Sequence, residues 1–361
     1  MSAEEYLLSL PTEPIGSIPR PDYLLRGRGD LAAGTIDQAE FDALADRAVR
    51  ETVERLAAIG SPVVTDGEQT KSSFMTYPLD GVDGLAPDGV VIPFADGHVR
   101  MLPRLTTGPF RYGVHAVRYL QAARKVASVP VKQSLIAPSA LSLLYPADGI
   151  DGYPREQFLA DLADEAERDI RQCLDAGADS VQLDFTEGRL SLKLDPSGGV
   201  LRDFVALNNT VLDRFTPEER ARIGVHTSPG GDQDSTHSLD VDYAELLPQL
   251  FSLRAGRFYL QLASEPDPDR VLAAVAEASS PDQRVFVGVV DPIDPRVETA
   301  EEVRDRVLRA AQYISPDRLG TCDDCGFAPY ADDVSTSRDT AFAKIEARVS
   351  GTQKAAAELG C

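Results

Sequence analysis

Positive charge is the scarcest commodity in this sequence relative to its opposite. Across 361 residues, 36 lysines and arginines face 58 aspartates and glutamates, a formal net charge of −22. A surface that negative repels phosphate backbones and anionic lipid, so nucleic acid and membrane are not expected partners. It leaves an anionic small substrate open, because that needs only a local basic pocket. Long apolar runs are missing as well. None approaches the roughly 18 residues of a membrane span, and the opening "MSAEEYLLSLPTEP" lacks the basic start of a secretion signal. Cysteine occurs four times, too few for a disulfide framework in so long a chain. Together these predict a soluble, cytoplasmic protein with reduced thiols, of oligomeric state left open. There is no internal repeat, no low-complexity segment and no glycine-rich dinucleotide loop after the first strand-like run.

What is present is alternation. Hydrophobic residues make up 43% of the chain, enough for a large core. Short β-branched runs at 14–18, 61–67, 130–136, 180–185, 222–227, 258–263, 285–290 and 318–323 are separated by amphipathic segments. The clearest of these is 155–179, where Phe158, Leu159, Leu162, Ala166 and Ile170 share one helical face and Gly177 supplies the stop. Eight such strand–helix units predict a single (β/α)8 TIM barrel over 1–361, with a doubly wound sheet as runner-up. The stretch 78–109, rich in glycine and proline, breaks the rhythm and predicts an inserted hairpin or lid after the second strand. "AKIEARVSGTQKAAAELGC" predicts a closing helix.

In such barrels the chemistry sits where strands end. Those ends carry Gly16 and Ser17; Asp66, Gly67 and Glu68; Lys132 and Ser134; Asp184 and Glu187; His226; Gln261; Asp291 and Asp294; Cys322 and Cys325. Imidazole and thiolate are zinc ligands, so His226 with the pair in "TCDDCGF" is a candidate metal site, against a reading in which Cys322 packs and His226 is a satisfied polar residue. Glu68 and Asp184 can grip an ammonium, hold a cation or act as acid and base, or else pair with Lys71, Lys132 or Arg189. Asp323 and Asp324 are placed to orient a metal-bound imidazole or to cap the next helix. His237, in the loop after the fifth strand, is a candidate proton carrier or a solvated histidine. His98, His115 and Cys173 read as structural.

Taken in order, these residues resemble the catalytic barrel of cobalamin-independent methionine synthase, and most of all the epoxyalkane:coenzyme M transferase-like branch, over about residues 10 to 350. "PIGSIPRP" resembles the Ile-Gly-Ser segment that lines the thiol substrate, which implies substrate contacts from Ile15, Gly16 and Ser17. "TDGEQTKSSFMTYPL" and "VQLDFTEG" resemble the stretches whose carboxylates, here Glu68 and Asp184, hold the substrate's amino group. "GVHTS" resembles the His-x-Cys zinc motif and "DDCGF" the Asp-Cys-Gly one, which implies zinc on His226 and Cys325. Three departures stand out: Ser228 where the motif has cysteine, Gln261 where methionine synthase has a ligating glutamate, and Cys322 where relatives have threonine.

The resemblance implies a zinc-dependent alkyl transfer to a small thiol, with a methyl donor or an epoxide as electrophile. His226, Cys325 and either a migrated Cys322 or, weakly, Ser228 would hold the metal. Glu68, Asp184 and Lys132 would position the substrate, and His237 or the Asp291–Asp294 loop would protonate an alkoxide product. A coenzyme M sulfonate would need Lys71, Lys132 or Arg20. The alternative is a zinc-free lyase, isomerase or cyclase in which Asp184, Glu68 and His226 do acid–base work.

Overall fold

The computed structural model describes residues 10–361, so most of the segment read against a secretion signal lies outside the described residues. Six short strands form one parallel sheet in sequence order: β3 (Gln133–Ile136), β4 (Val181–Asp184), β5 (Ile223–Thr227), β8 (Arg257–Leu260), β9 (Arg284–Gly288) and β10 (Leu319–Cys322). The segments expected as the first two strands contribute single parallel bridges instead. Thr12 pairs with Thr321 of β10, and Val64 with Val131 just before β3. The two segments bond to each other through the Ile18 amide, which donates to the Gly67 carbonyl at 3.0 Å. The ring of eight therefore closes, six positions as regular strands and two as bridged segments. Prolines at 11, 14 and 19 and the left-handed backbone of Gly67 and Glu68 keep those two from extending into full ladders.

Strand alternation sorts the side chains. Leu135, Leu183, Val225, Phe258, Val285 and Leu319 stand in register on the outer face, all buried under the helices. The opposite row, Ile136, Asp184, His226, Tyr259 and Phe286, points into the barrel. Beneath it lies a buried polar layer in which Glu13 accepts from Arg257 at 3.0 Å and from the Tyr259 hydroxyl at 2.6 Å, with Lys132 3.5 Å away. The helix Arg155–Asp175 covers the outside, burying Phe158, Leu162, Ala166 and Ile170 and ending at Gly177 (φ 82°). A final helix, Arg338–Leu359, packs back on the barrel and sends Arg348 inward to Asp323 at 2.8 Å.

Between the second segment and β3 the chain forms an antiparallel hairpin, β1 (Leu85–Pro93) and β2 (Val99–Leu105), pairing Val91 with Met101 and Pro93 with Val99. A second small hairpin, β6 (Gly231–Asp232) with β7 (Ser235–Thr236), follows β5. Among the described residues no helix is long and apolar enough to cross a membrane.

Candidate functional site

The parallel register of β4 and β5 sets Asp184 beside His226, so both side chains leave the same face at the strand ends. Around them Ile15, Gly16 and Ser17 from the first segment, Glu68 from the second and Cys325 from the β10 loop complete one cavity. The hairpin roofs it with Phe94, which meets the His237 ring edge-on at 5.4 Å. The free space between these walls is about 30 Å³, room for a water or two, and the cavity is partly open to solvent.

Each wall has a local cause. Gly67 and Glu68 both adopt positive φ, 66° and 54°, and this turn aims the Glu68 carboxylate inward. Its Oε1 accepts from Lys71 Nζ at 2.9 Å and from Ser134 Oγ at 2.6 Å. Gly16 faces that pair, and a Cβ there would lie 3.1 Å from Ser134 Oγ. Burial alone would lower the Lys71 ammonium, but Glu68 and Asp66 hold it above its ordinary range. Asp184 accepts from Gln182 Nε2 at 2.7 Å. Burial, reinforced by the Glu68 charge, pushes its carboxyl up to about 7.

His226 Nδ1 lies 3.3 Å from the Tyr259 carbonyl oxygen. That oxygen only accepts, so Nδ1 carries the hydrogen and Nε2 presents a bare lone pair. Nε2 is buried with no partner among the described residues. Burial, then the nearby Lys132 charge, lowers this imidazole to about 3, so it is neutral. Cys325 Sγ sits 3.2 Å from Ser228 Oγ, which also accepts from the Gly230 amide at 3.2 Å. Burial pushes the Cys325 thiol up to about 11. His237 is buried in the cavity wall rather than solvated, held by Ser238 Oγ at 3.0 Å, and burial lowers it to about 3. It fits only because residue 230 is glycine: φ there is 71°, and a Cβ would fall 1.8 Å from His237 Nε2.

Several expected roles are not met. Lys132 points into the polar layer below, donating to Gln182 Oε1 at 2.9 Å, and does not line the cavity. Arg20 is spent on backbone carbonyls of Glu68 and Tyr330 at 2.7 and 3.0 Å. Cys322 lies within β10, so alternation turns it into the barrel with Ile15, Tyr259 and Phe286, where its thiol donates to the Phe286 carbonyl at 3.6 Å. It is not the migrated ligand. Sequence reasoning missed the aromatic contributions of Phe74, Phe94 and Tyr330 to the cavity, since loop aromatics carry no periodic signal.

Over residues 10–341 the chain matches the model of the cobalamin-independent synthase catalytic domain. It belongs to that family. Among its relatives, the 5-methyltetrahydropteroyltriglutamate–homocysteine methyltransferase of Trichodesmium erythraeum is 24% identical over 325 residues, 89% of this chain but 41% of that protein. The chain thus spans less than half the length of that relative. The methionine synthase of Pyrococcus abyssi is 24% identical, covering 88% of this chain and 86% of that one. In fold the chain is similar to the B12-independent methionine synthase from Shewanella sp. W3-18-1 in complex with selenomethionine, at a TM-score of 0.77 and 21% identity over 97% of this chain and 99% of that one.

The resemblance implies zinc, and the residues present do not complete a site for it. Catalytic zinc takes three protein ligands. His226 Nε2 and Cys325 Sγ are available, whereas Ser228 is a neutral hydroxyl. Gln261 is turned away, its Oε1 accepting from Arg189 at 3.3 Å and its Nε2 donating to Ser264 at 2.6 Å. Among the described residues no three histidine, cysteine or carboxylate side chains come together as a metal-holding group.

Proposed function

We propose that this chain transfers a methyl group to the sulfur of a small thiol that carries an amino group. The observation that supports this most is the convergence of Glu68 and Asp184 on one cavity with Cys325 and the bare Nε2 of His226. Two carboxylates and two neutral imidazoles line that cavity, with no lysine or arginine among its described walls. An ammonium finds partners there and a sulfonate does not. The coenzyme M variant and epoxide opening therefore gain no support, and neither does the lyase, isomerase or cyclase reading.

In the reaction, Glu68 and Asp184 bind the ammonium and the thiol lies toward His226. The Asp184 carboxyl, near 7, is matched to accept the thiol proton at neutral pH. The sulfur lone pair then forms the new bond to the methyl carbon, and the donor leaves with the electrons of the broken bond and takes up a proton, balancing the one that Asp184 received. A second cavity of about 230 Å³ shares Gly231 and Cys325 with the first, and we place the donor there. Closure of the hairpin excludes water from the thiolate.

Calorimetric titration with homocysteine and with 2-mercaptoethanesulfonate tests the acceptor. Homocysteine is expected to bind, with Glu68→Gln weakening it at least about tenfold, the scale of one charge-assisted hydrogen bond. Preference for the sulfonate would overturn the reading. Methylated homocysteine, sought by mass spectrometry with the donor named for the relatives, 5-methyltetrahydropteroyltriglutamate, checks the reaction.

A further inference from the structure

We infer that this chain has given up its family's resident zinc, and that residue 228 is where it was lost. The inference takes its location from the proposed acceptor pocket, but it concerns occupancy and stands apart from the substrate assigned there. Several groups able to replace the missing donor are already committed, and the two others in the cavity, Asp184 and His237, do not come together with His226 and Cys325 as a metal-holding group among the described residues. Cys322 packs among Ile15, Tyr259 and Phe286, with its thiol on the Phe286 carbonyl. Asp323 is paired with the buried Arg348 at 2.8 Å. Asp324 clamps the amides of Leu262, Ala263 and Ser264 at 2.8–2.9 Å. Gln261 is bonded at both ends, and Glu68 is held by Lys71.

Charge points the same way. A zinc ion held by one thiolate, one neutral imidazole and a neutral hydroxyl keeps a net positive charge in a buried site. The ammonium of Lys132, itself fully buried, already bears on His226, and the carboxylates of the cavity, Glu68 and Asp184, are engaged by Lys71 and Gln182. Ser228 and Cys325 meet instead as hydrogen-bond partners at 3.2 Å. A cysteine at 228 would restore a second thiolate at a position already touching the first.

The test uses the full chain, purified without a metal-binding tag, equilibrated with zinc and then desalted. Zinc per chain is measured by elemental analysis for the wild type, Ser228→Cys and Cys322→Ser, with circular dichroism to check folding. The wild type and Cys322→Ser are expected to keep only trace zinc, and Ser228→Cys about one per chain, the stoichiometry of a completed three-ligand site. Cobalt(II) gives a second readout: Ser228→Cys is expected to develop a thiolate-to-cobalt charge-transfer band that the wild type lacks. Near-stoichiometric zinc in the wild type, lost in Cys325→Ser, would overturn the inference. So would a folded Ser228→Cys that takes neither metal. Failure of homocysteine to bind would instead sink the proposed function and leave the zinc result standing.

Discussion

Arg100, on the second strand of the roofing hairpin, donates from Nε and Nη2 to the two carboxylate oxygens of Asp232 at 2.5 and 3.1 Å. Asp232 follows Gly230 and Gly231, which line the cavity, so this fork ties the roof to the loop that carries Ser228. His98 Nε2 adds a contact to Asp232 at 3.1 Å, and the Arg100 guanidinium lies 4.0 Å over the ring of Tyr330. Arg100→Ala is expected to free the hairpin. Stability should fall by about 1.5–3 kcal/mol, the range for hydrogen bonds to charged groups, and KM for the thiol should rise more than kcat falls. Thermal melts and steady-state kinetics check both; an unchanged KM would show that the fork does not control access.

Glu68 and Lys71 form a pair in which neither side chain is more than 3% exposed. Glu68→Gln leaves the ammonium without its counter-charge in a site where burial already disfavours it. The variant is expected to melt earlier, by an amount equivalent to about 1.5–3 kcal/mol. Its homocysteine affinity should fall while its affinity for a thiol lacking the amino group stays within about twofold, a difference calorimetry resolves.

Asp184 sets the pH dependence. Its folded-state value of about 7 lies above the ordinary carboxylate range, so it holds its proton until neutral pH, whereas an unfolded chain releases it near 4. As a proton acceptor it must be ionised. Hence kcat/KM should rise with pH through an apparent value near 7, that of the Asp184 carboxyl. The same sign works against stability: the contribution of this group is neutral below about pH 4 and becomes destabilising as pH climbs to 7. Asp184→Asn should flatten that limb of the rate profile and lessen the loss of stability between those pH values.

Gly230→Ala probes the wall between His237 and the cavity. The added methyl would occupy the space of the His237 ring, at a φ of 71° that alanine adopts poorly. We expect roughly 1–3 kcal/mol of destabilisation and loss of thiol binding. Wild-type affinity in this variant would mean that the His237 ring has room to move aside.

Periodicity made much of this molecule legible. Four of the six regular strands fall inside the runs picked by their β-branched residues and two, Arg257–Leu260 and Arg284–Gly288, begin one residue ahead of theirs, while Phe158, Leu162, Ala166 and Ile170 bury the face their spacing specifies. Glu68, Asp184, His226 and Cys325 could be singled out because strand ends in a barrel open onto one mouth. Depth was not legible. Lys132 precedes β3 and reaches Gln182 and Glu13 in the buried polar layer, and Cys322 packs with Ile15, Tyr259 and Phe286, placements set by partners from distant segments rather than by position along a strand. His237 shows the same limit: a polar loop in the sequence, a buried wall once Phe94 is laid over it.

The sequence by itself determined the barrel, the family and the chemical types at its rim, since these follow from local spacing and motif order. Tertiary structure alone decided which groups remain free. Lys71 claims Glu68, the Tyr259 carbonyl fixes the tautomer of His226, and Gln261 is bound away from Cys325. Those partners come from segments far apart in the chain, and low dielectric inside the barrel makes their pairing, rather than their presence, set the chemistry.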